Sequence, residues 1–144
     1  MGSERATAQF QITAWDEEPV QEALNGGVAI TRARVIKTLA GDITGSSVAW
    51  LTMSVVGETS MAYVGVELFN VTVHDRAGTF VLVHDALSTG TSAHTWWTVQ
   101  GGTGTGELAG ITGTAAIDPR DDGTHLVTLD YSLDARPAEP PGAG

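Results

Sequence analysis

A run of closely spaced glycines, Gly104-Thr105-Gly106-Glu107-Leu108-Ala109-Gly110-Ile111-Thr112-Gly113, constrains this chain more than any other stretch. It places four glycines in ten residues, and within a helix each would cost up to ~1 kcal/mol relative to alanine. No helical pattern follows the run and no Lys-Ser or Lys-Thr pair ends it, which argues against a nucleotide phosphate loop. It reads instead as a turn leading into a bulged strand start, where the backbone needs positive φ or close approach. A β fold with a tight closure is what it predicts.

The remainder of the chain agrees with that reading. Strand-like runs occur at Thr7–Trp15, Ile30–Leu39, Ser47–Val56, Met61–Val73, Thr79–Leu87, Ala93–Val99, Ile111–Ile117 and His125–Leu133. Between them stand turn formers such as Asn25-Gly26-Gly27, Gly41-Asp42, Gly57-Glu58, Asp75-Arg76-Ala77-Gly78 and Asp121-Asp122-Gly123. Eight short strands joined by near-neighbour turns predict an antiparallel meander. Closing it into an eight-stranded up-and-down barrel removes its exposed edges. The segment Asp16–Leu24, with Pro19 near its start, reads as a turn of helix. Residues 135–144 contain Pro137, Pro140 and Pro141 without apolar periodicity and read as a disordered tail. Residues 1–134 then form a single domain, in keeping with a length of 144 residues.

Charge narrows the partners. Seventeen acidic against seven basic residues give a formal net charge of −10, which repels nucleic-acid phosphates and anionic membrane surfaces. The chain has no cysteine, so disulfides, thiolate metal sites and a cysteine nucleophile are excluded. Residues 1–20 lack a basic start followed by an apolar core, and no stretch approaches the roughly 18 apolar residues of a membrane helix. A cytoplasmic location is expected. Several strands are apolar on both faces, as with Phe80 and Leu82 against Val81 and Val83. A covered outer wall, and hence a homo-oligomer (a dimer first, a trimer second), follows.

Some of these residues recur in a fixed order in a known family. They are Thr13-Ala14-Trp15-Asp16-Glu17-Glu18, Thr31-Arg32-Ala33-Arg34, Lys37-Thr38-Leu39-Ala40-Gly41-Asp42, Tyr63-Val64-Gly65-Val66-Glu67, Asp75-Arg76-Ala77-Gly78-Thr79-Phe80, His84 and the start of the glycine run. Over roughly residues 5–134 the chain resembles the bacterial domain of unknown function thirty-two twenty-four (DUF3224). The resemblance implies a fold similar to the allene oxide cyclase and dirigent barrels, with eight antiparallel strands around a lined cavity. It also implies a small, largely apolar molecule as the partner. Trp96-Trp97 stand where smaller residues are usual, and Asp85-Ala86 depart from the family pattern after His84; both changes reshape the cavity.

Alternate residues point into a narrow barrel. Tyr63, Gly65, Glu67 and Phe69 therefore share one face, and Phe80, Leu82 and His84 share another. A one-residue bulge in the Asp75–Gly78 turn brings those faces together, and without it the parity flips. A turn around Ser88–Ser92 adds His94 and Trp96 to the face of His84, and Tyr131 offers a hydroxyl from the last strand. The candidate catalytic residues are Glu67, His84 and Tyr63. Glu67 or His84 serves as general base, and Tyr63 or His94 as donor to a developing oxyanion. His94, Trp96, Phe69, Leu82 and Tyr131 are the candidate ligand contacts. The competing reading makes Glu67 and His84 a satisfied polar pair that fixes strand register.

Glu67, His84 and His94 form a conceivable two-histidine, one-carboxylate set, but no spacing motif supports it; neither a metal nor another cofactor is expected. No elbow motif surrounds any serine, so a hydrolase triad is unsupported. His74 and His125 read as solvated, Trp15 as a plug at a barrel end, and Glu107 as an acceptor of turn amides; Arg34 and Lys37 alternate on opposite faces, which leaves one of them able to point inward, and a solvated or interfacial role is favoured for both. These residues could move protons, and the resemblance to the cyclase barrels then implies a cofactor-independent cyclase or isomerase acting on an apolar polyene or polyketide-like substrate. The alternative is a lipocalin-like carrier or sensor without turnover.

Overall fold

The computed structural model describes residues 3–21, 27–57, 60–89, 93–119 and 125–133. Eight strands run in chain order: β1 Glu4–Gln21, β2 Val28–Gly41, β3 Ile43–Val56, β4 Ser60–Val73, β5 Arg76–Ser88, β6 Ala93–Val99, β7 Thr112–Pro119 and β8 His125–Ser132. Each pairs antiparallel with its neighbours, and β8 returns to β1, so the sheet closes into a barrel. Among the described residues there is no α-helix, and no helix is long and apolar enough to cross a membrane. The expected eight-stranded up-and-down barrel is the fold.

Three local expectations are corrected. Residues 16–21 continue β1 rather than turning into a helix, because Asp16, Glu17 and Glu18 pair in register with Arg34, Ala33 and Arg32 of β2. Residues 22–24 of that segment, like the tail 134–144, lie outside the described residues. Second, the β4–β5 hairpin has no bulge. Val73 pairs directly with Arg76 across a two-residue turn in which His74 and Asp75 have φ of 46° and 69°. Paired positive φ is the signature of the hairpin turn whose twist suits its strands. It sets Glu67 opposite Leu82 and Gly65 opposite His84, so the inward faces coincide for a reason other than the one expected.

Third, the glycine run is a plug before it is a strand. Gly106–Leu108 form a single 3₁₀ turn beneath the start of β5, and β7 begins only at Thr112. Leu108 and Ile111 are wholly buried. Two glycines explain the close fit: a Cβ on Gly78 would lie 2.0 Å from the Thr105 carbonyl oxygen, and one on Gly104 2.1 Å from that of Leu108. Glu107 does accept a turn amide, from Ala77 N–H at 3.1 Å.

Inward residues divide the barrel in two. Towards the plug, Phe69, Val71, Val73, Phe80, Leu82, Leu108, Ile111, Leu129 and Tyr131 belong to a continuous buried core. Towards the other mouth the wall carries a smaller set, Ala33, Val35, Ala49, Leu51 and Met53, with Tyr63 against it. Outside, Trp50, Val64, Val66, Leu68, Val83 and Trp96 are exposed on consecutive strands β3 to β6.

Candidate functional site

The site begins with a belt of polar residues across the barrel waist. Lys37 on β2 faces Ser47 on β3 in register, and Glu67 on β4 pairs with Ala49 and Leu82. His84 on β5 sits opposite Gly65 and beside Trp97 of β6. Gly65 presents no side chain between its neighbours, so the imidazole can lean toward Glu67. The carboxylate is fully buried, at 0% exposure, with His84 at 2% and Lys37 at 7%.

Three donors converge on Glu67. His84 Nε2 lies 2.7 Å from Oε1, Lys37 Nζ 3.3 Å from the same oxygen, and the Ser47 hydroxyl donates to Oε2 at 2.5 Å. Burial alone pushes the Glu67 carboxyl up; the hydrogen bond from His84, the charges of Lys37 and His84, and the Ser47 hydroxyl outweigh it and hold the carboxyl below its usual range. An ionised carboxylate only accepts hydrogen bonds, so the His84 proton that faces it is on Nε2. In neutral His84 the Nδ1 lone pair is then free to accept. Lys37 Nζ also lies over aromatic faces, 4.6 Å from the Phe10 centroid and 5.2 Å from that of Trp97.

Above this belt is a cavity of about 540 Å³, a size suited to a small organic ligand. Its wall includes Val35, Leu51, Met53, Met61 and Trp15, and Lys37, Tyr63, His84 and Trp97 bring polar atoms to it. Tyr63 meets His84 edge to face with centroids 6.1 Å apart. Burial pushes the Tyr63 phenol up, the Glu67 and Asp85 charges push the same way, and only the Trp97 indole opposes them. The phenol is therefore held protonated, as a donor.

Of the sequence candidates, Glu67, His84 and Tyr63 come together. The others separate. Trp96 is 66% exposed on the outside, while Trp97, at 6%, stacks on His84 inside. The expected parity of β6 is thus reversed, because Trp97 and not Trp96 pairs with His84. His94 shares the side of Trp96, ring centroids 4.8 Å apart, and reaches the cavity only at its rim. It therefore does not join Glu67 and His84, and no group of three or more potential metal ligands occurs among the described residues. Phe69 and Leu82 lie below the belt, beside a void of about 10 Å³, and are core rather than cavity wall. Tyr131 is at the plugged end, its hydroxyl 2.6 Å from His74 Nδ1.

Of Arg34 and Lys37, for which a solvated or interfacial role was favoured over an inward one, Lys37 is the inward residue and joins the belt. Its signal was present: a lone lysine at an inward parity, two residues from both Val35 and Leu39. His74 is tied to Tyr131 and lies 3.7 Å from Asp42, and His125 stacks on Phe10 at 5.1 Å, so neither is simply solvated. Trp15 does stand at a barrel mouth. A bulge between Ile12 and Ala14 shifts the β1 register there and aims Trp15 at the rim of the cavity.

Comparison with known proteins agrees with this architecture. A family model described as "Protein of unknown function (DUF3224)" matches residues 6–131. A crystal structure of a protein of unknown function from the same family, from Shewanella oneidensis MR-1, superposes with a TM-score of 0.81 at 26% identity, covering 92% of this chain and 98% of that one. No curated protein matches the sequence.

Proposed function

The chain belongs to the DUF3224 family of unknown function, and within it we propose that this barrel binds a small apolar molecule and moves a proton on it without a cofactor, as an isomerase or cyclase of an unsaturated ketone. The observation that carries this reading is the coincidence of an apolar cavity with a buried Glu67–His84 dyad and a protonated phenol at its floor. Glu67 stabilises the imidazolium that forms when the His84 ring takes a proton from the carbon next to the carbonyl. The electron pair moves onto the carbonyl oxygen, where Tyr63 donates a hydrogen bond. His84 then returns the proton at the far end of the conjugated system, shifting the double bond and restoring the dyad.

An apolar β,γ-unsaturated ketone, followed by the ultraviolet absorption of its conjugated product, tests the proposal. Wild-type protein should accelerate the shift, and His84→Gln should lower the rate roughly 10²–10⁴-fold, the usual worth of a general base. Equal rates in the two proteins would remove the catalytic role.

The carrier reading retains one specific support. Both carboxylate oxygens of Glu67 are engaged, by Lys37, His84 and Ser47, as a purely structural belt requires. A barrel that binds the ketone without shifting its double bond is a carrier. For the outer face of β3 to β6 we propose a second copy of the chain as cover. Trp50, Val64, Val66, Leu68 and Val83 offer apolar contact there. Light scattering that shows only monomer at tens of micromolar, roughly the strength of a modest interface, would count against it.

A further inference from the structure

The outer wall carries two register pairs of opposite character on either side of β4. On β2 and β3, Arg34 stands opposite Trp50; on β5 and β6, Asp85 stands opposite Trp96. Each pair holds one indole and one charge, and the two charges differ in sign. Between them β4 presents Val64 and Val66, both exposed.

Neither charge is answered within the chain. Arg32, the next guanidinium along β2, is held by Glu18 at 3.3 Å, and Glu17 accepts from the Trp15 indole at 2.8 Å. Arg34 is left without an ion pair or side-chain hydrogen bond among the described residues, although Asp16 stands opposite it in register. Asp85 has none either. Its Oδ1 is sealed inside the wall, which leaves Oδ2 as the oxygen open to a cation from outside. A carboxylate among apolar neighbours favours any arrangement that brings a cation to it.

The shapes are complementary as well. Arg34 and Trp50 line a groove of about 490 Å³ on the outside of β1 to β3. Trp96 protrudes, at 66% exposure, and His94 packs against its ring with centroids 4.8 Å apart. An indole beside an anion thus faces outward on one flank, and a groove with an indole beside a cation opens on the other. A small aromatic acid would fill the groove and leave Trp96 and Asp85 uncovered. A second copy of the chain answers both, with tryptophan and arginine, the side chains that most often carry interface energy, at its centre.

We propose that copies of this chain associate by seating Trp96 of one in the outer groove of another, with Asp85 of the first paired to Arg34 of the second. This rests on the reading of β3 to β6 as a face covered by a second copy, and it names the contact that such a cover makes.

Sedimentation velocity at a series of micromolar concentrations, with circular dichroism to show that each variant is folded, tests the contact. Wild type should associate at tens of micromolar, roughly the strength of a modest interface. Arg34→Asp and Asp85→Arg each set like charges against one another and should each weaken association at least about tenfold. Mixed one to one, the two variants should recover it, because each supplies the charge that the other lacks. An effect confined to one chain is not restored by mixing. Trp96→Ala, which trims a side chain standing outside the fold, should also weaken association at least about tenfold. Should Asp85→Arg fail to fold, Arg34→Asp and Trp96→Ala decide the matter between them. Wild type that stays monomeric would overturn this contact together with the second-copy reading. Wild type that associates while the variants do so equally well, or while the folded mixture recovers nothing, would overturn the contact alone.

Discussion

The two halves of the barrel obey one inward-outward alternation and yet reach opposite ends. Below the polar belt, Phe69 and Phe80 stack at 5.0 Å, and they leave beside them a void of only about 10 Å³. Above it, Ala33, Val35 and Ala49 occupy equivalent inward positions, and the cavity is about 540 Å³. The pairing of β4 with β3 and β5 is equally regular in both halves, so along these strands the backbone does not make the difference. Side-chain volume does. The closed half supplies packing that holds the barrel shut, while the open half gives up packing and keeps space. Between them Glu67, Lys37, Ser47 and His84 form a layer whose charges are mutually satisfied, which lets a polar floor exist under an apolar room.

The largest effect should come from the layer itself. Glu67→Gln leaves the Lys37 charge buried without its anion and should cost about 3–5 kcal/mol by denaturant unfolding at neutral pH. The pH dependence has a definite sign. Because the folded-state carboxyl is held below its ordinary value of 4.5, its contribution is complete above that value and is lost as pH falls through the folded one. The stability gap between wild type and Glu67→Gln should therefore close on acidification below 4.5. A gap independent of pH would mean that the carboxylate charge contributes nothing.

Next in size is the contrast between the halves. Phe80→Ala, in the closed half, should cost about 3–5 kcal/mol, and Met53→Ala, on the cavity wall, should stay at or below about 2 kcal/mol. The reason is that the second substitution enlarges a space already present. Equal losses would show that the upper half is packed like the lower. The smallest effect is expected outside. Trp96→Ala should change monomer stability by no more than about 0.5 kcal/mol, whereas its neighbour Trp97, stacked on His84, should cost about 3–5 kcal/mol when cut to alanine.

Strand positions were legible because alternation and turn chemistry are local. The two-residue turn at His74-Asp75 was not, since neither residue is the glycine that positive φ usually takes. The end of β1 was misread for a different reason. Asp16, Glu17 and Glu18 carry no apolar alternation, and only pairing with Arg32 to Arg34 on β2 marks them as strand. For the site, Glu67 and His84 stood out as polar residues in apolar strands, but Lys37 did not, because a lysine is ordinarily a surface residue. Trp96 and Trp97 are adjacent, so only the register across the β5–β6 connection decides which faces inward. The division into a packed half and a hollow half depends on side chains from several strands meeting at one level, a relation that no single segment displays.

The central claim is that the upper half is a room for a ligand rather than an imperfect core, and filling that room tests it most directly. Ala49 lies on the cavity wall opposite Val35 and directly above the belt. Binding of the apolar dye N-phenyl-1-naphthylamine, followed by its fluorescence, should be compared in wild type and Ala49→Phe alongside thermal melting. Wild type should bind the dye inside the barrel with a blue-shifted emission. Ala49→Phe should lose at least about tenfold in affinity with its melting temperature maintained or raised, because the added ring occupies existing space. Unchanged dye binding together with a melting temperature lowered as in an overpacked core would contradict the account.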